Sequence, residues 1–266
     1  MVILAYPYGN HSNRLLQNLH FEAFCKEYNV EYINPSFFDM HKYYVRPCKW
    51  NKGLKGIVFM SRYLRKLAKI MIKLKLLKSV KIFDTEVNSC NYVETLLVPY
   101  DIYVGGWNFR VEDLVEKYQD YFIEKYTLKE KYIKNNKLLD LINTLKKNGK
   151  TIIGVHIRRG DYKIWENGKY YFDDDVYKKY MDTLTNKIIN CCFIIFTNEN
   201  VLINENEYIY KSNNQWYVDH FLMSKCDFLI GPPSTFTMWA SYIGKVKYYH
   251  IKDNSGIIDV NDFYEL

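Results

Sequence analysis

Two features of the sequence predict an α/β fold built on parallel sheets. The chain opens with an apolar strand, a helix and a second short strand, a βαβ arrangement within residues 1–33. After residue 150, apolar strands alternate with helical segments up to the C-terminus. Alternation of this kind is typical of parallel strands that are connected by helices.

The N-terminal elements follow from the local pattern of apolar residues. Residues 1–7 are apolar enough to form a buried strand, and a polar turn follows them. Apolar residues then recur at helical spacing, which predicts a helix from Asn13 to about Tyr28. Residues 30–33 predict the second strand.

A basic segment comes next. Between Asp39 and Asp84 there is no acidic residue, whereas there are thirteen lysines and arginines. Because the net charge of the chain is only +7, the remainder is net negative. Apolar and basic residues separate onto opposite faces and predict an amphipathic helix over about 57–78. Two interpretations stay open: a helix that covers the core with a solvated basic face, or one that meets anionic lipid headgroups or an anionic substrate.

The predicted boundary between two domains lies at Gly149. Residues 111–148 are charged and helical, and they end in a polar stretch with a glycine. The predicted domains are therefore residues 1–149 and 150–266. In the second domain the pattern predicts strands at 151–157, 191–197, 226–231 and 246–251, and helices at 175–188, 216–225 and 236–243.

Composition and cysteine spacing indicate a globular protein without a zinc finger or a disulfide framework. Hydrophobic residues make up 48% of the chain and charged residues 25%, as in globular proteins. The six cysteines form no CxxC pair and no zinc-finger spacing, which favours free thiols. We expect no secretory signal and no membrane span, and therefore a cytoplasmic protein.

The first candidate site lies at the end of the predicted strand 151–157. The run GVHIRRGDY places Arg158 and Arg159 directly after this strand. Open α/β sheets bind ligands at the carboxyl ends of their strands, and arginine pairs bidentately with phosphate oxygens. The alternative is that the two arginines pair with nearby carboxylates such as Asp161.

A second candidate anion site follows the strand at 226–231. Gly231, Pro232 and Pro233 lead into Ser234 and Thr235, which begin a helix. Free N–H groups and hydroxyls at a helix N-terminus bind anions, although one hydroxyl could simply cap the helix. Two anion sites at one edge of a sheet fit a single diphosphate.

These motifs resemble those of a known family. VHIRRGDY, followed about sixty residues later by DHFLMSKCDFLIGPPSTFTMWAS, resembles the inverting fucosyltransferases that use GDP-fucose. The α-1,2-fucosyltransferases, glycosyltransferase family 11, are the most similar, within a wider group that shares H-x-R-R. GNHSNRLLQNLHFEAF is similar to the family's opening motif, with Ser12 in place of a glycine and Arg14 in place of a glutamine.

The resemblance implies a fold, a domain assignment and a set of donor-binding residues. The fold is GT-B-like: two Rossmann-like domains facing a cleft, in a compact version. The N-terminal domain would lie on the acceptor side and the C-terminal domain would bind the GDP-sugar. The implied donor-binding residues are Asn13, His156, Arg158, Arg159, Asp219, Ser234, Thr235 and Phe236.

Individual roles also follow from the resemblance. His156 and Asp219 would contact guanosine, since a carboxylate can accept both N1–H and N2–H of guanine. Arg158 would hold the β-phosphate, while Arg159 and Asp161 would serve more as structural partners. Two carboxylates remain as candidate catalytic bases: Glu166, in the loop after the motif, and Asp161, which the neighbouring arginines make a weaker base. The alternative for Glu166 is an exposed loop residue without a catalytic role.

We expect neither a metal nor another cofactor, only GDP-fucose as co-substrate. The acidic triplet at 173–175 could suggest a metal-binding Asp-x-Asp motif, but it directly precedes a helix. There, acidic residues cap the helix and complement its dipole, and this is the favoured interpretation.

The predicted function is the transfer of L-fucose from GDP-fucose to a sugar hydroxyl, with inversion and an α-1,2 linkage, in surface-glycan synthesis. The expected partners are an oligosaccharide or lipid-linked glycan acceptor and an anionic membrane surface, with the enzyme peripheral on the inner membrane face. One alternative is the same fold with another nucleotide sugar. A more distant one is a nucleic-acid-binding protein that uses the basic segment 42–81; we expect no nucleic acid.

Overall fold

The structure is a computed structural model. It describes residues 1–34, 37, 39–45, 66–67, 70–71, 73–76, 78–81 and 89–265. Two compact units divide the chain, Met1–Thr127 and Leu128–Leu266.

The first unit is a parallel sheet with helices. Its elements are β1 (Val2–Tyr6), α1 (His11–Glu27), β2 (Tyr32–Ile33), β3 (Ser79–Lys81), α2 (Ser89–Leu96), β4 (Ile102–Gly105), α3 (Glu112–Lys117) and α4 (Gln119–Lys125). The strands are all parallel in the order β2-β1-β4-β3. The predicted βαβ opening is confirmed.

Aromatic side chains dominate the core of this unit. Phe21 stacks on Phe109 with ring centroids 4.2 Å apart, and Phe24 meets Phe109 edge-on. Val2 and Val104, from neighbouring strands, lie fully buried against this group. Helix α1 therefore packs its apolar face on the sheet, as its pattern predicts.

The second unit repeats the architecture with longer strands. Its elements are α5 (Lys137–Lys147), β5 (Thr151–Ile157), α6 (Asp174–Lys187), β6 (Cys191–Thr197), β7 (Ile209–Lys211), α7 (Trp216–Met223), β8 (Phe228–Gly231), α8 (Thr235–Gly244) and β9 (Lys247–His250). Short 3₁₀ turns at Gly160–Lys163 and Trp165–Gly168 follow β5. Four strands and three helices of this unit occur where the sequence predicts them.

The strand order of the second sheet locates its binding edge. All five strands are parallel in the order β7-β6-β5-β8-β9, so the chain first proceeds outward from β5 and then returns to β5's other side as β8. The direction of winding therefore reverses between β5 and β8. Ligands of doubly wound sheets bind at this point, beyond the carboxyl ends of the strands.

Close contact between β5 and β8 depends on glycine. A Cβ atom on Gly231 would lie 2.7 Å from the carbonyl oxygen of His156. Only a residue without a side chain lets the exit of β8 lie this close to the exit of β5.

The division between the units differs from the predicted one. It falls after Thr127, ahead of the predicted boundary at Gly149. Helix α5 belongs with the second unit because it precedes β5 in the chain and contacts this strand. The glycine at 149 therefore ends a helix within the second unit, where its φ of +72° favours glycine.

The predicted basic helix over 57–78 lies largely outside the described residues, including Arg62, Arg65 and Lys69. Within it, positions 66–67, 70–71 and 73 are helical. Leu67 and Leu74 are more than half exposed.

Within the described ranges, none of the helices is both long and apolar enough to cross a bilayer.

Candidate active site at the carboxyl edge of the second sheet

The exit of β5 carries His156 into a buried position. Its side chain is buried, and Nδ1 lies 2.9 Å from Oγ1 of Thr237 in the first turn of α8. Burial, with Arg158 and His250 nearby, lowers the pKa of His156 to about 3. The imidazole is therefore neutral at pH 7 and can donate from one nitrogen only.

The ring of Phe236 lies between two histidines. Its centroid is 4.9 Å from that of His156, in a stacked arrangement, and 3.9 Å from that of His220. These three rings join the exit of β5, the start of α8 and helix α7 into one aromatic layer. His156 and Phe236 are two of the predicted donor-binding residues, and the structure brings them into contact.

The two arginines after β5 have different surroundings. Arg158 is 27% exposed and pairs with the more exposed Asp161 through a 2.8 Å contact. Arg159 is more buried and pairs with Asp174, whose other oxygen accepts a 2.6 Å hydrogen bond from the Leu202 N–H. Arg159 is thus held inside the fold, whereas Arg158 stays available to an anion beyond the strand.

The acidic triplet at the start of α6 has a different role from the predicted cap. Asp173 occupies the N-cap position, but its side chain makes no capping hydrogen bond. Asp174 and Asp175 lie in the first turn, where they complement the helix dipole as predicted. Asp174 turns to Arg159 because a buried guanidinium requires an anionic partner.

Residues Ser234, Thr235 and Phe236 form the start of α8. Ser234 is the N-cap, and its Oγ accepts a hydrogen bond of 3.2 Å from the Phe236 N–H. Thr235 is the first helical residue. Ser234 therefore caps the helix N-terminus. This N-terminus follows β8, which is the neighbour of β5, the strand that ends at Arg158.

Asp219 lies buried on α7, and one of its oxygens is fixed. Ser212 donates to Oδ1 at 2.5 Å, Asn214 donates to Ser212 at 2.9 Å, and Asn136 donates to Asn214 at 2.9 Å. Burial raises the pKa of Asp219 to about 7, although the Ser212 hydroxyl opposes this rise. A buried carboxyl group with a raised pKa, which accepts a hydrogen bond from a neutral hydroxyl and pairs with no cation among the described residues, is a candidate for ligand recognition.

The loop after the arginines carries Glu166 on an exposed turn. Glu166 and Asn167 both have left-handed backbone angles, with φ of 49° and 56°. Tyr162, earlier in the loop, donates a 2.5 Å hydrogen bond to the Pro233 carbonyl. The loop after β5 is thereby tied to the turn that begins α8.

In the first unit, Asn13 lies near the start of α1 beside a tight turn. Gly9 has a φ of +58°, and a Cβ atom there would clash with the Asn13 amide at 2.2 Å. Arg14 forms a bidentate pair with Asp39, with distances of 2.6 and 3.1 Å.

Sequence reasoning missed Tyr162, Ser212 and Thr237. Thr237 could have been found, since it is three residues after the predicted cap and faces the same end of the helix. Ser212 and Tyr162 have no local pattern, because their contacts depend on how the loops fold. Within the part of the chain that is described, no group of three or more His, Cys, Asp or Glu is arranged to hold a metal ion.

A family model described as glycosyl transferase family 11 matches residues 97–254, which is more than half of the chain and includes both motifs. The chain belongs to glycosyl transferase family 11. It is therefore a glycosyltransferase, and the predicted resemblance is confirmed.

Among solved structures, the chain is similar to a mutant of FUT1, a fucosyltransferase from Arabidopsis thaliana, in complex with GDP. The TM-score is 0.54 at 11% sequence identity, and the match covers 99% of this chain and 73% of that one. This likeness and the two parallel α/β sheets confirm the predicted GT-B-like fold class. None of the curated proteins matches the chain.

Proposed function

We propose that this glycosyltransferase transfers L-fucose from GDP-fucose to a sugar hydroxyl. The reaction inverts the β-linked fucosyl group of the donor to an α-linked product, with an α-1,2 linkage, in the synthesis of surface glycans. The observation that carries the proposal is the pair of anion-binding features at the switch point: Arg158 after β5 and the α8 N-terminus after β8.

The donor occupies the carboxyl edge of the second sheet in this proposal. Arg158 binds the β-phosphate bidentately, and Ser234, Thr235 and Phe236 line the diphosphate or ribose. The free oxygen of Asp219 and the neutral imidazole of His156 contact guanosine. The FUT1 structure was determined with GDP, which agrees with a GDP-sugar as donor.

Bond breaking leaves negative charge on GDP. The acceptor oxygen forms a bond to fucose C1 as the bond from C1 to the β-phosphate oxygen breaks. Arg158 and the α8 N–H groups stabilise the charge that develops on the leaving diphosphate. Arg159 supports the motif through Asp174 instead of contacting the phosphate directly.

The acceptor hydroxyl must lose a proton. Glu166 is the favoured base because its exposed carboxylate is presented on a turn directly after the motif. Asp161 is the second candidate, but its oxygen is engaged by Arg158 at 2.8 Å. Asn13 and the first unit keep the donor-binding and acceptor-side roles that the family resemblance implies.

Nucleotide binding and donor turnover test this function. Thermal-shift assays with GDP, UDP and a single-stranded oligonucleotide should give stabilisation by GDP alone. GDP-fucose should then be turned over faster than GDP-mannose in the presence of oligosaccharide acceptors. A preference for UDP or for the oligonucleotide would overturn the proposal, and a preference for GDP-mannose would change the sugar but keep the nucleotide.

We also propose that the basic segment docks the enzyme on an anionic membrane near a lipid-linked acceptor. Leu67 and Leu74 are more than half exposed, which argues against a helix that covers the core, and Lys66 and Lys73 are exposed on the same segment. The wild-type protein should bind phosphatidylserine vesicles at low salt, and changing Arg62, Lys66, Lys69 and Lys73 to Gln should abolish this binding. Absence of vesicle binding by the wild type would refute this docking.

A further inference from the structure

An exposed indole lies in the loop that follows the two arginines. Trp165 is 41% exposed, and Ile164 beside it is 83% exposed. Single exposed apolar residues are common, but tryptophan contributes a large apolar area and is among the residues most enriched at binding sites. Its surroundings decide whether this ring can serve a ligand.

Other aromatic rings hold the indole in place. Its centroid is 4.8 Å from that of Tyr162 and 5.4 Å from that of Tyr170. Tyr162 is buried and bonded to the Pro233 carbonyl, while Tyr170 packs against the core of the second unit. Two rings therefore hold the indole while 41% of Trp165 stays exposed, and a ligand on the exposed part would cost little side-chain entropy.

The backbone after Trp165 is held in an unusual conformation. Glu166, Asn167 and Gly168 have φ values of 49°, 56° and 78° in succession. Hydrogen bonds from the Asn167 N–H to the Ile164 carbonyl, at 3.2 Å, and from the Lys169 N–H to the Glu166 carbonyl, at 3.1 Å, maintain the turn. Left-handed non-glycine residues are energetically unfavourable and concentrate at functional sites.

The same turn lies close to the proposed phosphate-binding arginine. The Arg158 guanidinium carbon is 5.6 Å from the centroid of the Tyr162 ring, which in turn contacts Trp165. Only one ring therefore separates the indole from Arg158. A group on the indole would lie beside the diphosphate end of the donor, where the acceptor must approach.

We propose that the exposed part of the Trp165 indole binds a pyranose ring of the acceptor. The C–H face of a pyranose is apolar and slightly electropositive, and it complements the negative face of an indole. Lys163, Glu166 and Lys169 are exposed in the same loop, and a polar loop suits a sugar better than an apolar chain. Glu166 follows Trp165 directly, so the same turn presents the favoured base to the bound sugar.

This inference rests on the proposed function, and the experiment separates the two. Trp165→Leu keeps apolar volume against Tyr162 and Tyr170 but removes the aromatic face, whereas Trp165→Phe retains a smaller ring. Ile189→Ala is the control, since Ile189 is 86% exposed in the turn before β6. GDP affinity is measured by calorimetry, and the KM for the acceptor is measured with a panel of oligosaccharides.

For Trp165→Leu we expect the acceptor KM to rise at least about tenfold, while the dissociation constant for GDP stays within about twofold. Trp165→Phe should recover part of the loss, and Ile189→Ala should behave as wild type. An unchanged acceptor KM in Trp165→Leu would show that Trp165 does not bind the acceptor. A loss of GDP affinity as large as the loss of acceptor affinity would also overturn the proposal, because it would mean that Trp165 has a structural role. A wild-type protein that fails to bind GDP, or that transfers to no sugar, overturns the proposed function itself.

A second measurement does not depend on the folding of the leucine variant. In wild-type protein labelled with 5-fluorotryptophan, the resonance missing from Trp165→Phe identifies Trp165. Titration with the oligosaccharide that is turned over best should shift this resonance in the presence of GDP. A resonance that does not move at saturating acceptor contradicts the binding of the acceptor by Trp165.

Discussion

Glu22 in the first unit and Asp219 in the second are both buried carboxylates, and they are compensated in different ways. In the first unit, Glu22 is surrounded by donors from α1 and from the end of α4. Lys125 pairs with one of its oxygens, and Tyr121, Tyr126 and Asn18 donate to the carboxylate at 3.0, 3.0 and 3.1 Å. The charge of Glu22 is thus balanced by a cation and three further hydrogen bonds inside the protein.

Asp219 in the second unit has much less compensation. Its Oδ1 accepts from Ser212 at 2.5 Å, and the chain of hydrogen bonds then runs through Asn214 to Asn136. These partners are neutral, and burial raises the pKa of Asp219 to about 7. This series of hydrogen bonds fixes the orientation of the Asp219 carboxyl group without balancing its charge.

In the proposed function, this difference separates a network that stabilises the fold from one that can accept a ligand. A buried carboxylate with a full set of internal donors gains nothing from a further donor. One that is oriented but uncompensated gains when guanine supplies two N–H groups. Burial is therefore common to both carboxylates, whereas incomplete compensation is the feature that favours Asp219 as the proposed guanine ligand.

The largest expected effect comes from breaking the compensated network. Lys125→Met should lower the free energy of unfolding by about 3–5 kcal/mol, because Glu22 would stay buried without its cation. Denaturant unfolding measures this loss. Lys117→Met is the matched control, since its ion pair with Glu27 lies at the surface and contributes little to stability. Equal effects of the two variants would show that the buried network is not needed for stability.

At the edge of the second sheet, the effect should appear in turnover instead of stability. Arg158→Lys should reduce kcat with GDP-fucose about 10²–10³-fold while the melting temperature changes little, because lysine keeps the charge but loses the bidentate geometry. Arg110→Lys, in the first unit, is the control because its guanidinium bonds only backbone carbonyls in the described hydrogen bonds. Near-wild-type turnover of the Arg158 variant would remove this residue from the phosphate site.

For Asp219, affinity and pH dependence should change together. Guanine requires the ionised carboxylate, and the pKa of Asp219 is raised to about 7. GDP affinity should therefore reach its maximum above pH 7, where Asp219 is ionised. Below pH 7 it should fall by up to about tenfold for each pH unit. Calorimetry with UDP corrects for titration of the phosphates. Asp219→Ala should weaken GDP binding by about 1.5–3 kcal/mol and abolish the pH dependence that is specific to GDP. A GDP preference that persists in this variant would mean that guanine binds elsewhere.

The sequence predicts the elements of this edge but not their connections. The strand exits at Arg158 and Gly231 and the helix start at Ser234 follow from β-branched runs, a Gly-Pro-Pro turn and a capping serine, all of which act locally. The orientation of Asp219 depends on Ser212 and Asn136, which local patterns cannot join because loops and a separate helix bring them together.

The acidic triplet shows the same limit. Its place at the start of α6 was predictable from helix capping rules, and two of its members do complement the dipole. The pairing of Asp174 with Arg159 was not, because it depends on which of two adjacent arginines the fold buries. Electrostatic partners across a fold are set by burial, which a single sequence does not contain.

A smaller effect should follow from loosening the Asp219 network at its first hydrogen bond. Ser212→Ala removes a donor that lowers the pKa of Asp219. GDP affinity at pH 7 should fall by about 1 kcal/mol, and the midpoint of its pH dependence should move upward. Ser255→Ala is the matched control, since this serine also donates to a carboxylate at 2.5 Å but in an exposed turn. A midpoint that does not move would mean that Ser212 has no influence on the carboxyl group.

The smallest effect is expected from removing metal ions. In the proposed mechanism Arg158 and the α8 N-terminus compensate the charge of the leaving diphosphate, so EDTA should leave the turnover of GDP-fucose nearly unchanged. The acidic triplet offers a further check, because both oxygens of Asp174 are occupied by Arg159 and the Leu202 N–H, while Asp175 is exposed and pairs with Lys178 at 3.1 Å. Asp175→Asn should keep wild-type turnover at all Mn²⁺ concentrations. Strict dependence on Mn²⁺ or Mg²⁺ that this substitution weakens would instead give the triplet a metal-binding role, and the donor site would then be compensated by a cation from outside the chain.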